Sequence, residues 1–376
     1  MKVTTLQVRN FRNHADSRLD LGEAMNVLLG GNGHGKTNIV EAASYLGLTK
    51  SFFSIGDSVA LQFGMDGFEI EGVVVEDSGR SNTVEVRFDR KSGVKEIAVN
   101  HVPLEKLHML VGRFPLVVLS PESARITFGP PAERRKFLDL VLSQQSRSYF
   151  EDILEYRRVL KQRNALLAEA KTNGQLNESY LSPWSESITK IGSRIVHRRR
   201  DFVADFRTRL SGVYPKLAGF HEEVDGWYQT TPAIEPGADP TTIAVGLAAE
   251  LDRMKSEELR RGASLVGPHR DDLVMTINGI DVQSYASQGQ HKTLLLAMKI
   301  AEFEYLKAAR GEVPVLLLDD LFGELDPERS ERIIGVVSGL GQSIITTTDD
   351  GMFRSSVSWN SKHRRFIVES GTCRPC

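Results

Sequence analysis

The chain has 376 residues, of which 40% are hydrophobic and 26% are charged, and its formal net charge is −2. This composition is typical of a globular protein with enough apolar material for two or three domains. The near-neutral charge excludes a global field for nucleic acid, so any contact with DNA must come from local patches. No apolar run is long enough to cross a bilayer or to act as a signal segment, and we expect a cytoplasmic protein without a membrane partner.

The first part of the chain predicts several strands around one helix. Alternating apolar residues over 68–75 and 83–88 are typical of strands, and residues 96–103 predict a hairpin. Residues 25–29 predict a buried strand, and a helix is predicted to begin within residues 38–43. A glycine-rich segment joins this strand to this helix.

The glycine-rich segment fits the P-loop pattern G-x-x-x-x-G-K-[ST]. Glycines in such a loop adopt positive φ, so that successive N–H groups point at a phosphate, and the helix N-terminus adds partial positive charge. We expect Lys36 to reach the β- and γ-phosphates of ATP and Thr37 to bind Mg²⁺. The predicted ATP-binding residues of this segment are Gly30, Gly31, Asn32, Gly33, His34, Gly35, Lys36, Thr37 and Asn38.

Residues 132–215 are helical in character. Leucines and aromatic residues recur there at three- and four-residue spacing, and a polar break over 171–180 separates two long helices. Ser182 and Pro183 predict the cap and the first turn of the second helix. The pattern therefore predicts an antiparallel helical arm, followed by a further helix over 243–261.

A second possible anion site stands at the start of a later helix. Ser287, Gln288, Gly289 and Gln290 come directly before a strongly helical run. A serine and a flexible backbone at a helix N-terminus can bind an anion. Because one nucleotide has one γ-phosphate, this second site makes sense if it serves the ATP of another subunit in a homodimer. An ordinary helix cap is the alternative.

An acidic pair follows an apolar strand predicted over 315–318. Asp319 and Asp320 stand at the carboxyl end of that strand, where ligands bind in open α/β sheets. Because adjacent strand residues face opposite ways, we expect Asp319 to lie near Mg²⁺ and Asp320 to face the attacking water. Lys36 and Asp320 are the predicted catalytic residues, and Thr37 and Asp319 are the predicted metal ligands.

A polar strand end is also predicted after residues 344–345. Thr346, Thr347, Thr348 and Asp349 stand at its exit, where they could hydrogen-bond the γ-phosphate or the attacking water. The alternative is a polar strand end without a function. We take Thr347, Thr348 and Asp349 as the candidate switch residues.

The chain ends with a single C-x-x-C pair, formed by Cys373 and Cys376. One such pair is half a zinc site, and a reduced, flexible tail is the favoured interpretation. The predicted domains are an ATPase lobe over 1–120 and 285–370, a helical arm lobe over 121–284, and the flexible tail over 371–376.

The order of these segments resembles that of the ABC-type ATPases. Their signature segment appears here as residues 286–290, and their D-loop appears as residues 323–326. A long insertion separates Thr37 from Ala286, as in the head domains of the structural-maintenance-of-chromosomes and double-strand-break repair ATPases. This resemblance implies an α/β fold with an ABC-type ATPase head, in which a P-loop lobe with a mixed sheet is joined to a helical arm lobe.

Four further segments resemble the RecF family of bacterial DNA replication and repair proteins. They are NFRNH (10–14), PAERRKFLD (131–139), GPHRDDL (267–273) and SQGQHKT (287–293). The resemblance implies an ATPase that dimerises on ATP, binds double-stranded DNA beside single-strand gaps, and works with RecO and RecR to load RecA. Recombinational repair, replication restart and the SOS response to DNA damage are the implied setting. Arg12, in the first segment, would approach the phosphates or the base.

Two departures from the ABC pattern predict slow hydrolysis. Asp320 stands where a glutamate is usual, and Thr347, Thr348 or Asp349 replaces the usual switch histidine. A shorter carboxylate reaches less far, and no histidine is available to hold the γ-phosphate. We therefore expect a slow, DNA-stimulated ATPase that acts as a dimerisation switch. The alternative function is the ATPase subunit of a membrane transporter.

Contacts with DNA are expected mainly at its phosphates. Two basic runs of the helical arm carry the candidate residues, although a solvated helix face is the alternative for both. The candidates are Arg157, Arg158, Lys161 and Arg163 in the first run, and Lys190, Arg194, Arg198, Arg199 and Arg200 in the second.

Overall fold

The computed structural model describes residues 1–53, 56–174, 177–218, 222–321, 327–349, 351, 353, 357 and 359–376. Its strands, in chain order, are β1 (Lys2–Phe11), β2 (His14–Asp20), β3 (Met25–Leu29), β4 (Gly67–Val75), β5 (Ser81–Asp89), β6 (Val94–Val99), β7 (Val102–Pro103), β8 (Leu116–Leu119), β9 (Val224–Gln229), β10 (Asp272–Ile277), β11 (Ile280–Asp281), β12 (Val315–Leu318), β13 (Ser343–Thr347), β14 (Arg364–Glu369) and β15 (Thr372–Pro375). Its α-helices are α1 (Lys36–Leu48), α2 (Arg125–Phe128), α3 (Pro131–Gln145), α4 (Arg147–Asn173), α5 (Glu178–Ala218), α6 (Pro240–Arg261), α7 (Val282–Tyr285), α8 (Gln288–Arg310) and α9 (Pro327–Ser338).

The chain divides into two compact units. The first contains residues 1–124 and 295–376, and the second contains residues 125–294. The start of α8, with the predicted signature segment, therefore belongs to the second unit, and the rest of that helix belongs to the first.

The first unit is built on two six-stranded sheets. One is antiparallel, with the strand order β2-β1-β4-β5-β6-β7. The other has the order β15-β14-β3-β13-β12-β8 and is parallel except for β15, which confirms the predicted mixed sheet. Its inner strands β12 and β13 are buried along their whole length, as parallel strands in α/β proteins are.

Helix α1 packs against strands of both sheets. Its residues from Ile39 to Leu48 are all buried, so the helix is enclosed on every side. Tyr45 of α1 packs edge to face with Phe11 and Phe68, and the three ring centroids are 5.2–5.7 Å apart. This packing fixes α1, and with it the P-loop that leads into the helix.

Three loops of the parallel sheet meet at one edge. Strands β3 and β12 both pair in parallel with β13, so their carboxyl ends lie on the same side of the sheet. The register places Leu318 beside Ile345 and Leu29 beside Thr347. The P-loop, the acidic pair and the threonine-rich strand end are therefore neighbours, as the sequence predicts.

The second unit contains the helical arm and a small sheet. Arg198 of α5 donates to Ser148 of α4 at 2.9 Å, while Arg163 of α4 donates to Ser185 of α5 at 3.1 Å. Residue numbers thus rise along one helix as they fall along the other, which confirms the antiparallel arm. Helix α6 packs on both, and the sheet has the order β11-β10-β9.

The boundaries of two arm helices differ from the prediction. The first predicted long helix is two helices, because Ser146 is extended and its side chain caps α4 by accepting from the Tyr149 N–H. The prediction of Ser182 and Pro183 as cap and first turn is wrong, since α5 begins at Glu178 and Pro183 lies inside it. An earlier polar residue, Asn177, accepts from the Ser179 N–H at 3.1 Å instead.

The prediction of a flexible tail over 371–376 is also wrong. Residues 372–375 form β15, which pairs antiparallel with β14 at the edge of the mixed sheet. Cys373 is half-buried there, and burial raises its pKa to about 11. Residues 372–375 have little strand propensity of their own, and pairing with β14 orders them as a strand.

The predicted D-loop, residues 323–326, lies outside the residues that the structure describes.

In the part of the chain that the structure describes, every helix is too short or too polar to cross a bilayer.

Candidate nucleotide-binding site

The glycine-rich segment joins β3 to α1 and has the backbone that its composition predicts. Gly33 and Gly35 have φ values of +80° and +107°, in the left-handed region that favours glycine. A Cβ atom at Gly35 would lie 2.5 Å from the Asn13 Oδ1 atom, and one at Gly30 would lie 2.3 Å from the Val368 carbonyl oxygen. The loop therefore needs glycine at these positions both for its turn and for its close packing.

Lys36 stands at the first position of α1, and its ammonium group returns to the loop. The Nζ atom donates to the carbonyl oxygens of Gly30 and Gly31, each at 2.8 Å. Burial lowers the pKa of Lys36, and the charges of Asp320 and Asp319 oppose that shift. Gly35, the N-cap residue, has no side chain to occupy the N–H groups of the first helical turn. An ammonium group and the N–H groups of a helix N-terminus are what a phosphate requires.

Asp319 and Thr37 meet at the edge of the sheet. The Thr37 hydroxyl donates to Asp319 Oδ1 at 2.8 Å, and Asp319 is only 2% exposed. Burial raises the pKa of Asp319, and the hydrogen bonds from Thr37 and Thr346 oppose that shift. The structure thus brings together the two residues that the sequence predicts as metal ligands.

The donor set suits Mg²⁺. Hydroxyl and carboxylate oxygens are its preferred protein ligands, and it usually takes its remaining ligands from water and phosphate. Within the described residues no group of three or more histidine, cysteine, aspartate or glutamate side chains is placed to hold a metal alone. Thr37 Oγ1 and Asp319 Oδ1 therefore fit a metal that arrives with a nucleotide.

The remaining polar residues of this edge occupy different environments. Asp320 is exposed, and its backbone N–H donates to the Thr346 hydroxyl at 2.8 Å. Thr347 is buried, and its hydroxyl donates to the carbonyl oxygen of Asp349 at 2.7 Å. Thr348 and Asp349 are exposed at the end of β13. The candidate switch residues thus lie on the same sheet edge as the P-loop.

Arg12 is engaged by α1 and not by the loop. Its guanidinium donates to both carboxylate oxygens of the buried Glu41 at 2.8 Å, and to the Val59 carbonyl at 3.0 Å. Such a bidentate pair holds an arginine in one geometry. The described contacts of Arg12 therefore join β1, α1 and the segment around Val59.

Two residues that support the P-loop were not selected from the sequence. The Asn13 amide donates to the His34 carbonyl at 3.1 Å and accepts from the Asn38 amide at 2.8 Å. His14 Nε2 lies 3.0 Å from the Gly35 carbonyl, to which it can donate. Both residues belong to the NFRNH segment (10–14), which could have indicated them, although only Arg12 of that segment is predicted to bind the nucleotide.

The predicted signature segment, in the second unit, has the geometry of a capping box. The Gln290 N–H donates to the Ser287 hydroxyl at 3.2 Å, and the Ser287 N–H donates to Gln290 Oε1 at 2.8 Å. Gln290 also donates to Glu222 at 2.9 Å. Ser287 and Gln288 are exposed, and Gly289 is half-buried. Within a single chain, this segment is therefore a helix cap, as the alternative interpretation predicts. Ser287 and Gln288, where helix α8 begins, face solvent.

Two of the nine arm cations are not available to DNA. Arg163 is 2% exposed and donates to Glu258 at 2.6 Å, and Arg199 is 2% exposed and donates to Asp139 at 2.7 Å. The prediction of Arg163 and Arg199 as DNA contacts is corrected for this reason, since both serve the interior of the arm. Their spacing on the helices is that of the apolar core, which the charge pattern concealed.

The other seven cations lie at or near the surface of the arm. Several have acidic neighbours: Arg157 pairs with Asp139, and Arg194 pairs with Asp152. Arg158 also pairs with an acidic residue, Glu155. The side chains of Arg158, Lys161 and Lys190 are exposed, and those of Arg198 and Arg200 are partly exposed.

The chain matches the family model of the RecF/RecN/SMC N-terminal domain over residues 2–366. It is 41% identical over 352 residues to the DNA replication and repair protein RecF of Chloroherpeton thalassium. That alignment covers 93% of this chain and 95% of the relative. It is 39% identical to the RecF of Salinibacter ruber, with 99% and 91% covered. These relatives give no support to the transporter alternative.

Solved structures agree with this assignment. A structure of the recombination mediator protein RecF-ATPrS in the RecFOR pathway superposes with a TM-score of 0.91 at 30% identity, covering 100% of this chain and 98% of the other. An SMC head domain bound to part of ScpA has a TM-score of 0.57 at 13% identity, which shows that the fold is that of an ABC/SMC-type ATPase head. The chain belongs to the RecF family of DNA replication and repair proteins.

Proposed function

We propose that this protein is an ATP-dependent DNA-binding protein of recombinational repair and replication restart. ATP binds the P-loop, two ATP-bound subunits form a homodimer, and the dimer binds double-stranded DNA beside single-strand gaps. With RecO and RecR it promotes the loading of RecA. Its family of DNA replication and repair proteins supports this setting, and we place the protein in the cytoplasm, where a bacterium keeps its chromosome.

One observation carries the proposal. Lys36, Thr37 and Asp319 meet at the carboxyl edge of the parallel sheet, with the Thr37 hydroxyl 2.8 Å from Asp319 Oδ1. A cation, a hydroxyl and a carboxylate beside the N-terminus of a helix suit a nucleoside triphosphate with Mg²⁺. A related solved structure is named RecF-ATP, which supports ATP as the nucleotide.

The residues of the loop have distinct roles when ATP is present. Lys36 exchanges the Gly30 and Gly31 carbonyls for oxygens of the β- and γ-phosphates. Thr37 and Asp319 would hold Mg²⁺, which would supply positive charge to neutralise the phosphates. Asn13 and His14 keep the loop backbone in place.

Hydrolysis is slow in this proposal. Asp320 orients the attacking water, but its carboxylate is shorter than a glutamate's and is open to solvent. Thr347, Thr348 and Asp349 offer hydroxyl, amide and carboxylate groups in place of a histidine. Phosphoryl transfer depends mostly on positioning and charge stabilisation, so a loosely positioned site turns over slowly. Slow turnover suits a switch that stays dimeric while the γ-phosphate remains.

The homodimer forms through the start of α8. The helix start, with Ser287 exposed and Gly289 half-buried, caps the γ-phosphate bound to another subunit. The Ser287 hydroxyl accepts from the Gln290 N–H through its lone pairs and keeps its own proton for a phosphate oxygen. Loss of the γ-phosphate on hydrolysis removes this contact and releases the dimer.

DNA is bound by the basic surface of the arm. The antiparallel register places Lys190 level with the exposed Arg157, and Lys161 follows one turn further along α4. Long, exposed cations suit phosphates, which carry no sequence information. We therefore assign Lys161 and Lys190 to phosphate contacts, together with Arg157, Arg158, Arg194, Arg198 and Arg200.

Charge reversal tests this assignment. The double variant Lys161→Glu with Lys190→Glu should bind gapped duplex DNA at least tenfold more weakly. The plot of log affinity against log salt has a negative slope, and its magnitude should decrease by roughly 0.9 for each DNA phosphate that the variant no longer neutralises. Stimulation of ATP turnover by the DNA should fall in parallel, while turnover without DNA stays unchanged.

A matched control carries the same change of charge elsewhere. Arg18→Glu with Lys91→Glu alters two exposed cations of the antiparallel sheet in the first unit. If the control weakens DNA binding as much as the arm variant, only net charge matters and the arm assignment fails. If gapped duplex leaves the ATP turnover of the wild type unchanged, the proposal of a DNA-stimulated ATPase fails.

A further inference from the structure

Thr346 lies at the centre of the acidic sheet edge. It is the fourth residue of β13 and is only 1% exposed. Its hydroxyl donates to Asp319 Oδ1 at 2.9 Å and accepts from the backbone N–H of Asp320 at 2.8 Å. One buried hydroxyl therefore contacts both members of the acidic pair.

The bond to Asp320 acts on an unusual backbone. Asp320 has a φ of +51°, in the left-handed region that a non-glycine residue adopts only at a cost. Its N–H group must find an acceptor in that conformation, and the Thr346 oxygen is that acceptor. This bond fixes the direction in which the Asp320 side chain leaves the strand end.

The bond to Asp319 acts on a shared carboxylate oxygen. Asp319 Oδ1 accepts from Thr37 at 2.8 Å as well as from Thr346 at 2.9 Å. Two donors from different elements hold this carboxylate in one rotamer. The oxygen beside the predicted metal position is thus oriented from β13 as well as from α1.

We propose that Thr346 is a positioning residue for ATP hydrolysis, because its hydroxyl sets the carboxylate of Asp319 and the backbone of Asp320 at the same time. The inference rests on the proposed function and extends it to a residue that touches neither phosphate nor water. Thr346 is therefore distinct from the switch candidates Thr347, Thr348 and Asp349, which stand beyond it on the chain.

A hydroxyl is needed at this position because it both donates and accepts. Valine has nearly the same shape but lacks both capacities, so Thr346→Val would leave the Asp320 N–H without its acceptor. Serine keeps both capacities and loses one methyl group. The pair of substitutions separates hydrogen bonding from packing.

The test measures steady-state ATP hydrolysis, equilibrium ATP binding and thermal unfolding on the full-length protein. Thr346→Val should lower kcat on the order of tenfold to a hundredfold, with the dissociation constant for ATP within about threefold of the wild type. Thr346→Ser should restore kcat to within about threefold. Ser343→Ala, which removes a buried hydroxyl at the opposite end of β13, should leave kcat unchanged.

A double variant sharpens the test. If Thr346 acts through Asp320, the effects of Thr346→Val and Asp320→Asn on kcat should not multiply, and Thr346→Val should cost little in the Asp320→Asn background. Full multiplication of the two effects would contradict positioning through Asp320.

Other outcomes also overturn the inference. A wild-type kcat in Thr346→Val shows that the hydroxyl is not used. Equal losses in Thr346→Ser and Thr346→Val, or a fall in ATP affinity as large as the fall in kcat, assign Thr346 to folding or binding. Failure of the proposed function has a different signature, since the wild type would then bind or hydrolyse no ATP.

Discussion

His269 is a half-buried histidine whose hydrogen bonds define its charge state. Its Nε2 atom donates to the Ser264 carbonyl at 3.1 Å, so its Nδ1 atom accepts from the Tyr156 hydroxyl at 2.7 Å. Burial lowers its pKa to about 4, and the nearby cations Arg270 and Arg135 act in the same direction. The neutral ring is thus part of the structure of the arm.

Substitution of His269 should remove one contribution to the pH dependence of the free energy of unfolding. The unfolded chain takes up a proton near pH 6.5, whereas the folded protein resists protonation until pH falls towards 4. The stability that neutral His269 supplies is present above pH 6.5 and is lost as pH falls. The deficit of His269→Gln against the wild type should therefore shrink by about 2 kcal/mol between pH 7.5 and pH 5.

The measurement is denaturant unfolding of both proteins at the two pH values. Asp271, whose pKa burial raises to about 6, has the opposite effect on stability, but it is present in both proteins. An unchanged deficit of His269→Gln at pH 5 would show that the ring is not held neutral.

Residue types and spacing predicted much of the site at the residue scale. The P-loop glycines, Lys36 and Thr37 follow a pattern of fixed spacing, Asp319 directly follows an apolar strand, and the structure brings Thr37 and Asp319 together. Burial is not visible in the same way, because Arg163 and Arg199 have the sequence appearance of surface cations. Their partners lie on other elements and cannot be read from neighbouring residues.

At the scale of elements, the strongly periodic helices and apolar strands were predictable, and their ends were less so. Ser146 divides a helix because its side chain competes for a backbone N–H. Strand β15 was missed because its order depends on pairing with β14. The sequence of residues 371–376 carries no strand pattern strong enough to reveal that pairing.

Truncation of residues 371–376 tests the role of β15. The Gly371 N–H donates to the His34 carbonyl at 3.0 Å, and its carbonyl accepts from the Ser17 hydroxyl at 3.0 Å. Loss of these bonds should loosen the P-loop, so we expect Tm to fall by roughly 3 °C or more. ATP affinity should fall as well.

A shorter truncation provides the control. Removal of residues 375–376 keeps Gly371 and most of β15, so it should lower Tm less and leave ATP affinity near the wild type. If the longer truncation retains the wild-type Tm and ATP affinity, β15 does not support the loop, and the flexible-tail interpretation is restored.

At the scale of the whole molecule, the order of motifs predicted an ATPase head with a helical arm, and the comparisons confirm that family. The pairing of helices α4 and α5 also followed from the order of apolar segments and polar breaks. Assembly is a different matter, because the P-loop belongs to the first unit and the start of α8 to the second. In the proposed homodimer, the helix start of one copy serves the nucleotide of the other.

In the proposed mechanism, ATP joins two copies of the chain through the start of α8. Sedimentation of the wild type, Ser287→Arg and the control Ser211→Arg, each with ATP, with ADP and without nucleotide, tests it most directly. Ser211 is exposed on α5, so the same bulk and charge are added away from the helix start. We predict dimers of the wild type and of Ser211→Arg with ATP alone, and monomers of Ser287→Arg that still bind ATP. A wild type that stays monomeric at saturating ATP, or a Ser287→Arg variant that dimerises normally, would contradict the account.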